Sequence, residues 1–309
     1  MAIRPPILRA GDTIGIVTLG SPLDPAVIKA RIATLQQMGF QVVVGDYVFA
    51  QNGFLAGTDQ QRAADLMKMF QNDQVRLILP VRGGVGVSGI LPYLDFAEIA
   101  RHPKWISGYS DITVLLNAIS YFTGLITLHS LLLIDFKPST PAYNFNQFFE
   151  QTSVYAYSRT IQNPPELPPM VSLVQGNATG VLLGGNLTSF AGSLGTPYEI
   201  DTSGKILVLE DTHEPVNTVY RYLLQLYQAG KLDGCAGIVM GQCSDCPEAY
   251  AVSYDQLIRS FIVPLGIPLM TGLATGHGFY KAALPIGATA NLNTYASTLT
   301  VVEPIVEVI

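Results

Sequence analysis

The chain has 309 residues, of which 49% are hydrophobic and 13% are charged, and its formal net charge is −6 at pH 7. A chain of this length favours two domains over a single core, and its apolar fraction excludes a disordered protein. The negative charge, without a cluster of lysines and arginines, argues against a nucleic-acid partner.

No segment of the sequence has the pattern of a membrane span or a signal peptide. The most apolar run covers residues 124–136, where His129 and Ser130 interrupt it, and it is too short to cross a bilayer. Prolines stand near the N-terminus, where a signal peptide needs an apolar segment. We therefore expect a soluble protein of the cytoplasm, with no membrane partner.

The first 130 residues alternate strand and helix patterns. Asp24 can cap a helix that has Pro25 at its first position, and Thr58 and Gln61 have the spacing of a capping box before a second helix. Buried strands are predicted at residues 13–19, 40–44 and 75–81. Repeated β-α-β units with continuous apolar strands predict a parallel sheet that is covered on both faces.

The pattern changes in the middle of the chain, where four of the six residues 164–169 are proline. This proline density excludes a helix or a central strand, so we predict an interdomain linker there. Strand and helix patterns then resume at residues 180–195, 205–211, 216–230, 236–241 and 297–304. The sequence thus predicts an N-terminal α/β domain over 1–150, a proline-rich linker over 151–177 and a second α/β domain over 178–309.

Three cysteines are too few for a disulfide framework. Cys243 and Cys246 have the spacing of a metal-binding pair, but no second pair supplies the two further ligands that zinc requires. We interpret them as unpaired loop thiols, with a local disulfide or a redox role as the alternative.

Three predicted strands end in segments that could form a site, because open α/β sheets bind ligands at the carboxyl ends of their strands. Residues 80–86 contain three glycines, residues 107–111 read SGYSD, and residues 207–214 end in acids and a histidine. Simpler interpretations exist for each. The glycines can form a plain turn, Ser110 or Asp111 can cap the following helix, and acids at a strand end are commonly solvated.

The glycine segment matches neither the phosphate-binding loop nor the dinucleotide fingerprint. It is better suited to bring bare backbone N–H groups close to another strand end, which is what an oxyanion hole requires.

A serine nucleophile needs a base, usually a histidine that a carboxylate orients. His102 lies in a polar connection before a proline, and His129 lies in an apolar strand where a packed core residue is expected. His277 ranks first among the four histidines because glycines on both sides let its loop approach another surface closely. His213, beside the acid cluster, ranks second.

Glu210 ends an apolar strand and is the first choice for the orienting carboxylate, with Asp211 and Glu214 as rivals. The order serine, glutamate, histidine is compatible with a hydrolase triad, because that geometry recurs on unrelated folds.

Several segments, taken together, resemble one family. Motifs GYSDIT (108–113), GGNL (184–187), GTPYEIDTSGKILVLED (195–211) and GHGFYKAALPIGA (276–288) look like the LD-carboxypeptidase family of serine peptidases. That family includes murein tetrapeptide carboxypeptidases and microcin C7 self-immunity peptidases. The segments LRAGDTIGIVTLGSP and LAGTDQQRAADL fit it too, so the resemblance covers nearly the whole chain in order.

The resemblance implies a flavodoxin-like parallel-sheet N-terminal domain and a smaller β-rich α/β C-terminal domain, with the site in the cleft between them. It implies a homodimer, a serine mechanism and no metal or organic cofactor. The triad maps onto Ser110, Glu210 and His277. The implied oxyanion hole consists of backbone N–H groups of Asp111 and of Gly83 or Gly84.

Two further residues are candidates to bind substrate. Arg82, next to the glycine loop, can hold a terminal carboxylate, and Asn186 of the GGN motif can orient the substrate. Each has an equally simple structural interpretation. The chain departs from the usual family pattern at Val85, at HSLLL (129–133) and at Tyr220-Arg221. The first two departures bear on which substrate is bound and not on the class of reaction.

These observations favour a serine carboxypeptidase that cleaves an L,D bond and releases D-alanine from a peptidoglycan tetrapeptide during wall recycling. The alternatives are a self-immunity peptidase that hydrolyses a microcin C-like aminoacyl-nucleotide, and a two-domain binder that holds a ligand without cleaving it.

Overall fold

Two β-sheets form the framework, and residues before 130 supply nearly all of the first one. The computed structural model describes residues 2–308. The first five strands are β1 (Thr13–Val17), β2 (Gln41–Val44), β3 (Val75–Pro80), β4 (Trp105–Gly108) and β5 (Thr127–His129). The helices of this part are α1 (Pro25–Gln37), α2 (Asp59–Gln71), α3 (Phe96–Arg101), α4 (Ile112–Thr123) and α5 (Ala142–Ser153).

These five strands are parallel and lie in the order β2-β1-β3-β4-β5. This is the strand order of flavodoxin-like sheets, whose ligands bind where the order reverses, between β1 and β3. Because the strands are parallel, the loops after β1, β3 and β4 meet at one edge of the sheet. The glycine segment and the SGYSD segment therefore lie side by side.

The second sheet takes its strands from the rest of the chain. The remaining strands are β6 (Arg159–Ile161), β7 (Val171–Val174), β8 (Asn177–Asn186), β9 (Ile206–Thr212), β10 (Gly237–Ser244), β11 (Leu269–Leu273), β12 (Leu284–Ile286), β13 (Thr289–Asn293) and β14 (Thr298–Val301). The helices are α6 (Leu187–Ala191), α7 (Val216–Gln228) and α8 (Tyr254–Leu257), the last continued by a π-helical turn, Ile258–Ile262.

The eight strands of this sheet lie in the order β6-β14-β13-β8-β9-β10-β11-β7, with the four strands from β8 to β11 parallel and the others antiparallel. Strand β12 leaves it and pairs antiparallel with β5, so it covers an edge of the first sheet. The predicted fold class, a parallel sheet followed by a second β-rich α/β unit, is confirmed.

The segment predicted as a linker, 151–177, contains β6 and β7, which occupy the two opposite edges of the second sheet. The proline stretch between them has neither helix nor strand. Edge strands tolerate such neighbours because one side of an edge strand needs no ladder partner. The division into 1–150, 151–177 and 178–309 stays a prediction.

The two predicted helix starts are confirmed. Asp24 caps α1 through a 2.7 Å hydrogen bond from the Ala26 N–H, and Thr58 and Gln61 form the predicted capping box of α2.

The buried apolar side chains form two clusters. One cluster runs without interruption from the first sheet to the second, and a separate cluster packs α2 and α4 on the other face of the first sheet. The continuous cluster fixes the two sheets relative to each other.

The interpretation of Cys243 and Cys246 as unpaired thiols is wrong, since they form a disulfide at the end of β10. The turn between them brings their Cα atoms to 5.5 Å, inside the range that a disulfide requires. The spacing in sequence does not determine that geometry. Cys235 is the free, buried thiol.

Among the described residues, 2–308, no helix is both long and apolar enough to cross a membrane. In the same residues, no group of three or more His, Cys, Asp or Glu side chains could hold a metal ion.

Candidate active site

Ser110 lies on the tight turn between β4 and α4, with a φ of 63°. A residue that only caps a helix has β-region dihedrals, whereas non-glycine residues rarely adopt positive φ. Such strain costs about 1–3 kcal/mol and persists where the surroundings impose it. The conformation therefore argues against a simple cap and presents a half-buried serine at the carboxyl edge of the sheet.

Asp111 holds this turn against its neighbours. It occupies the N-cap position of α4 but makes no side-chain cap bond. Its carboxylate accepts a 2.7 Å hydrogen bond from the Val87 N–H, at the end of the glycine segment, and a 3.3 Å bond from Ser189 Oγ in α6. The turn is thereby tied to both sheets.

Gly83 packs directly on the nucleophile turn. A Cβ atom at this position would lie 2.7 Å from Ser110 Cβ, 2.9 Å from Ser110 Oγ and 3.0 Å from the Asp111 nitrogen. Within residues 2–308, neither the Gly83 N–H nor the Asp111 N–H donates to another protein group. Gly84 instead faces Ser21, whose Oγ would lie 2.4 Å from an added Cβ. Of the two glycines, Gly83 is the one in contact with Ser110.

Glu210 and His277 form a hydrogen-bonded pair. The distance from His277 Nδ1 to Glu210 Oε2 is 3.0 Å, and the His277 backbone N–H donates to the same oxygen at 3.3 Å. Since an ionised carboxylate only accepts, the proton of the imidazole is on Nδ1, and Nε2 keeps its lone pair. Burial acts to raise the pKa of Glu210, but the side-chain and backbone hydrogen bonds from His277 lower it below its ordinary value.

The glycine before His277 lets this loop reach the carboxylate. Gly276 has a φ of +70°, and a Cβ there would lie 2.2 Å from the carboxyl carbon of Glu210. The close approach that the flanking glycines predicted is therefore confirmed at this position.

Tyr109 joins the pair to the nucleophile turn. Its ring lies edge-on to the imidazole of His277, with 5.0 Å between centroids, and it immediately precedes Ser110. No hydrogen bond joins Ser110 Oγ to His277 in the part of the chain that the structure describes. Catalytic hydrogen bonds of this kind often tighten only when substrate is bound.

The rival residues have other surroundings. His213 is 76% exposed, and its ring contacts Thr212 and Asp245. Asp211 is buried and accepts hydrogen bonds from Asn186 and Thr188, so the view that these acids are solvated is wrong for Glu210 and Asp211.

His129 is fully buried in β5, as predicted for a core residue. Neither of its ring nitrogens has a hydrogen-bond partner among residues 2–308, and burial lowers its pKa to about 4. Its imidazole is therefore neutral at physiological pH.

The two substrate-binding candidates differ. Arg82 is half-buried, makes no hydrogen bond or ion pair with residues 2–308, and its charge acts on Tyr109. The side chain of Asn186 is occupied: its oxygen caps α6 by accepting from the Ser189 N–H at 3.0 Å, and its nitrogen donates to Asp211 at 2.8 Å.

Sequence reasoning missed the cavity beside His277. It has a volume of about 310 Å³, and its lining includes Tyr109, Asp135, Asn144 and Lys281. A lysine four residues after the histidine, at the start of the apolar run KAALPIG, was the one signal for it.

Comparison with known proteins identifies the family. The N-terminal domain of the LD-carboxypeptidase family matches residues 14–130, and its C-terminal domain matches residues 179–292. A probable murein peptide carboxypeptidase of Bacillus subtilis is 39% identical over 96% of this chain and 93% of its own length. The microcin C7 self-immunity protein of Escherichia coli is 27% identical over 91% of this chain and 90% of its own.

A solved structure agrees with these sequence matches. The crystal structure of a muramoyltetrapeptide carboxypeptidase from Oxalobacter formigenes superposes with a TM-score of 0.81 at 29% identity, covering 93% of this chain and 97% of that one. The chain described here belongs to the LD-carboxypeptidase family and is a serine-type carboxypeptidase.

Proposed function

We propose that this protein is an L,D-carboxypeptidase that releases D-alanine from a peptidoglycan tetrapeptide in wall recycling. The observation that carries the proposal is the hydrogen-bonded pair of buried Glu210 and half-buried His277, which lies beside the strained turn of Ser110. The murein and muramoyltetrapeptide names of the relatives support the substrate class.

In the proposed reaction, Ser110 Oγ attacks the scissile carbonyl and His277 Nε2 accepts the serine proton. Glu210 accepts a hydrogen bond from the Nδ1–H of His277, which fixes the tautomer, and its negative charge stabilises the imidazolium that forms. His277 then protonates the leaving amine, D-alanine departs, and a water that His277 deprotonates hydrolyses the acyl ester.

The developing oxyanion needs two donors close to Ser110. We propose the backbone N–H groups of Asp111 and Gly83. The contact of Gly83 with Ser110 favours it over Gly84, which faces Ser21.

A carboxypeptidase must also hold the free carboxylate of its substrate. Arg82 suits this role, because its guanidinium has no protein partner among residues 2–308 and the residue directly precedes Gly83, which contacts Ser110. We propose Asn186 as a positioning residue instead of a substrate contact, since its amide already holds the α6 cap and Asp211.

Stereochemistry tests the proposal. Three matched peptides are incubated under one condition: the tetrapeptide with terminal D-alanine, its all-L diastereomer, and the D-alanine peptide as its amide. We expect D-alanine from the first and essentially no cleavage of the other two, because a triad acts on any carbonyl and selectivity must come from the surrounding contacts. Equal cleavage of the all-L peptide or the amide would refute the L,D-carboxypeptidase assignment and leave a serine hydrolase.

Variants tested on the same peptide check the triad. Ser110→Ala and His277→Ala should each reduce turnover by several orders of magnitude, and the double variant should lose little more, because members of a triad act as one unit. His213→Ala serves as the matched control and should retain activity. Near-normal turnover by His277→Ala would overturn the assignment and favour His213. Release of an amino acid from an aminoacyl-nucleotide, with the tetrapeptide left intact, would favour the self-immunity alternative.

The setting is part of the same proposal. We propose a homodimer in the cytoplasm, in line with members of the family that the sequence resembles. Light scattering of the purified protein and fractionation of cells that express it test the two statements, and a monomer mass or a secreted product would contradict them.

A further inference from the structure

Lys281 is a buried lysine that the proposed reaction does not use. It is 7% exposed and follows His277 by four residues. Its ammonium donates to the carbonyl oxygens of Gly276 at 2.6 Å and of Gly278 at 2.9 Å, the residues on either side of the histidine. The loop that carries the imidazole therefore closes around this one charged group.

The same ammonium also contacts the nucleophile turn. Lys281 Nζ lies 4.4 Å from the centroid of the Tyr109 ring, over its face, which is the geometry of a cation–π contact. The edge of that ring lies against His277, and its hydroxyl donates to Asp135 at 3.3 Å. Lys281 thus reaches His277 by two routes, through the flanking backbone and through Tyr109.

The backbone of Lys281 is fixed as well. Its N–H donates to Asn144 Oδ1 at 2.8 Å, and the nitrogen of the same amide donates to the Phe279 carbonyl at 3.0 Å. Both ends of the lysine are therefore anchored, one in α5 and one in the histidine loop.

A buried ammonium is costly unless its environment compensates it. Burial lowers the pKa of Lys281, and the negative charges of Asp135 and Glu210 oppose that fall. A second buried lysine lies far from the site: Lys104 Nζ donates to the carbonyls of Met69 and Asn72, at the amino end of β4. The two lysines make similar backbone contacts, but only one of them brackets the histidine.

We propose that Lys281 is a positioning residue that holds the imidazole of His277 in register with Ser110. The inference rests on the proposed role of His277. Glycine has wide conformational freedom, so without the ammonium Gly276 and Gly278 would allow the histidine loop to adopt other backbone conformations. Misplacing a catalytic group by 1 Å can reduce the rate by about 10²-fold. Since the donors of Lys281 are occupied by protein groups, the effect should fall on kcat and leave KM nearly unchanged.

The experiment compares Lys281→Met, Lys281→Arg and the matched control Lys104→Met. We measure kcat and KM on the tetrapeptide, the rate at which a fluorophosphonate labels Ser110, and thermal unfolding. Lys281→Met should lower kcat and labelling by about 10²-fold with KM within about twofold. Lys281→Arg should restore part of this loss, because it keeps donors for both carbonyls. Lys104→Met should lower the unfolding temperature and keep kcat.

Three outcomes would overturn the inference. Wild-type kcat in Lys281→Met would make the lysine purely structural. A raised KM with unchanged kcat would make it a substrate contact, and an equal loss of kcat in Lys104→Met would make the effect one of general stability. If Lys281→Met does not fold, Lys281→Gln takes its place: its shorter amide cannot reach both carbonyls, so kcat and Ser110 labelling should fall with KM nearly unchanged. Wild-type kcat in Lys281→Gln would overturn the inference.

Failure of the proposed function looks different from failure of this inference. A wild-type protein that labels at Ser110 but leaves the tetrapeptide intact would overturn the substrate, and slower labelling of Lys281→Met would still support positioning. Normal tetrapeptide cleavage by the wild-type protein, together with unchanged labelling of Lys281→Met, would support the proposed function and overturn the positioning role of Lys281.

Discussion

The residues around Glu210 keep its buried carboxylate ionised and directed at His277. Its side chain is fully buried, one oxygen contacts His277, and the other, Oε1, has no partner among residues 2–308. Both hydrogen bonds that lower the pKa of Glu210 come from His277, so the carboxylate stays ionised only if the histidine loop stays close. Gly276 permits that closeness, and Lys281 donates to the Gly276 carbonyl from within the same loop.

Replacing Gly276 by alanine tests this dependence. A Cβ at Gly276 would lie 2.2 Å from the Glu210 carboxyl carbon, so the loop must move away from the carboxylate. Gly266→Ala is a matched control, because that glycine has the same φ of +70° and no atom within 4 Å of an added Cβ. Both variants carry the backbone strain of about 1–2 kcal/mol. We expect Gly276→Ala alone to lose turnover, by about 10²-fold or more, in steady-state assays. Equal activities of the two variants would contradict the steric argument.

His129 provides a pH-dependent prediction. Its pKa in the folded protein is about 4, against 6.5 for an unperturbed imidazole, because burial disfavours the charged ring. The unfolded chain therefore binds more protons between these values, and stability is lost as pH falls from 6.5 towards 4. The difference corresponds to about 3 kcal/mol of unfolding free energy.

The variant His129→Leu removes this titration and should flatten the loss of stability over that pH range. Urea unfolding at a series of pH values measures it, with the exposed His213→Leu as the control that keeps the wild-type slope. An equally steep fall in His129→Leu would assign the acid sensitivity to other buried groups.

At the scale of elements, the predictable parts were those with local signals. The apolar runs and the caps at Asp24 and Thr58 predicted β1 to β3 and the first two helices within a few residues. Strand β12 carried no such signal, because three residues from the motif after His277 pair with β5, far earlier in the chain. A long-range pairing of this kind depends on the finished core and not on local pattern.

The candidate site was predictable to a similar extent. The glycines beside His277 and the strand end at Glu210 were enough to select that pair from four histidines and several acids. The structural use of the Asn186 amide and the Cys243–Cys246 disulfide were not, because both depend on how side chains converge in space. Lys281 was overlooked, since a lysine reads as a surface residue when its burial is unknown.

At the scale of the molecule, the site is assembled from two parts of the chain. Ser110 comes from the first sheet, whereas Glu210 and the loop of His277 come from the second. The apolar cluster that spans both sheets, together with β12 returning to β5, makes the position of one part depend on the other. The geometry of the site is thus a property of the whole fold.

This dependence predicts cooperative loss of activity and structure. The single tryptophan, Trp105, is fully buried at the start of β4, five residues before Ser110, and its fluorescence reports the first sheet. Circular dichroism reports both sheets. In a urea titration we expect the midpoints of fluorescence, circular dichroism and tetrapeptide turnover to coincide, because two parts that share one core unfold together.

A control separates unfolding from inhibition by urea. Activity measured immediately after dilution from each urea concentration should return to the native value below the common midpoint, since the folded protein is then intact. If activity were lost irreversibly, or the dichroism changed, at urea concentrations where Trp105 stays buried, the second part would be unfolding on its own. The continuous cluster between the sheets would then contribute less to stability than its burial indicates, and the Glu210–His277 pair would be held mainly by its own half of the chain.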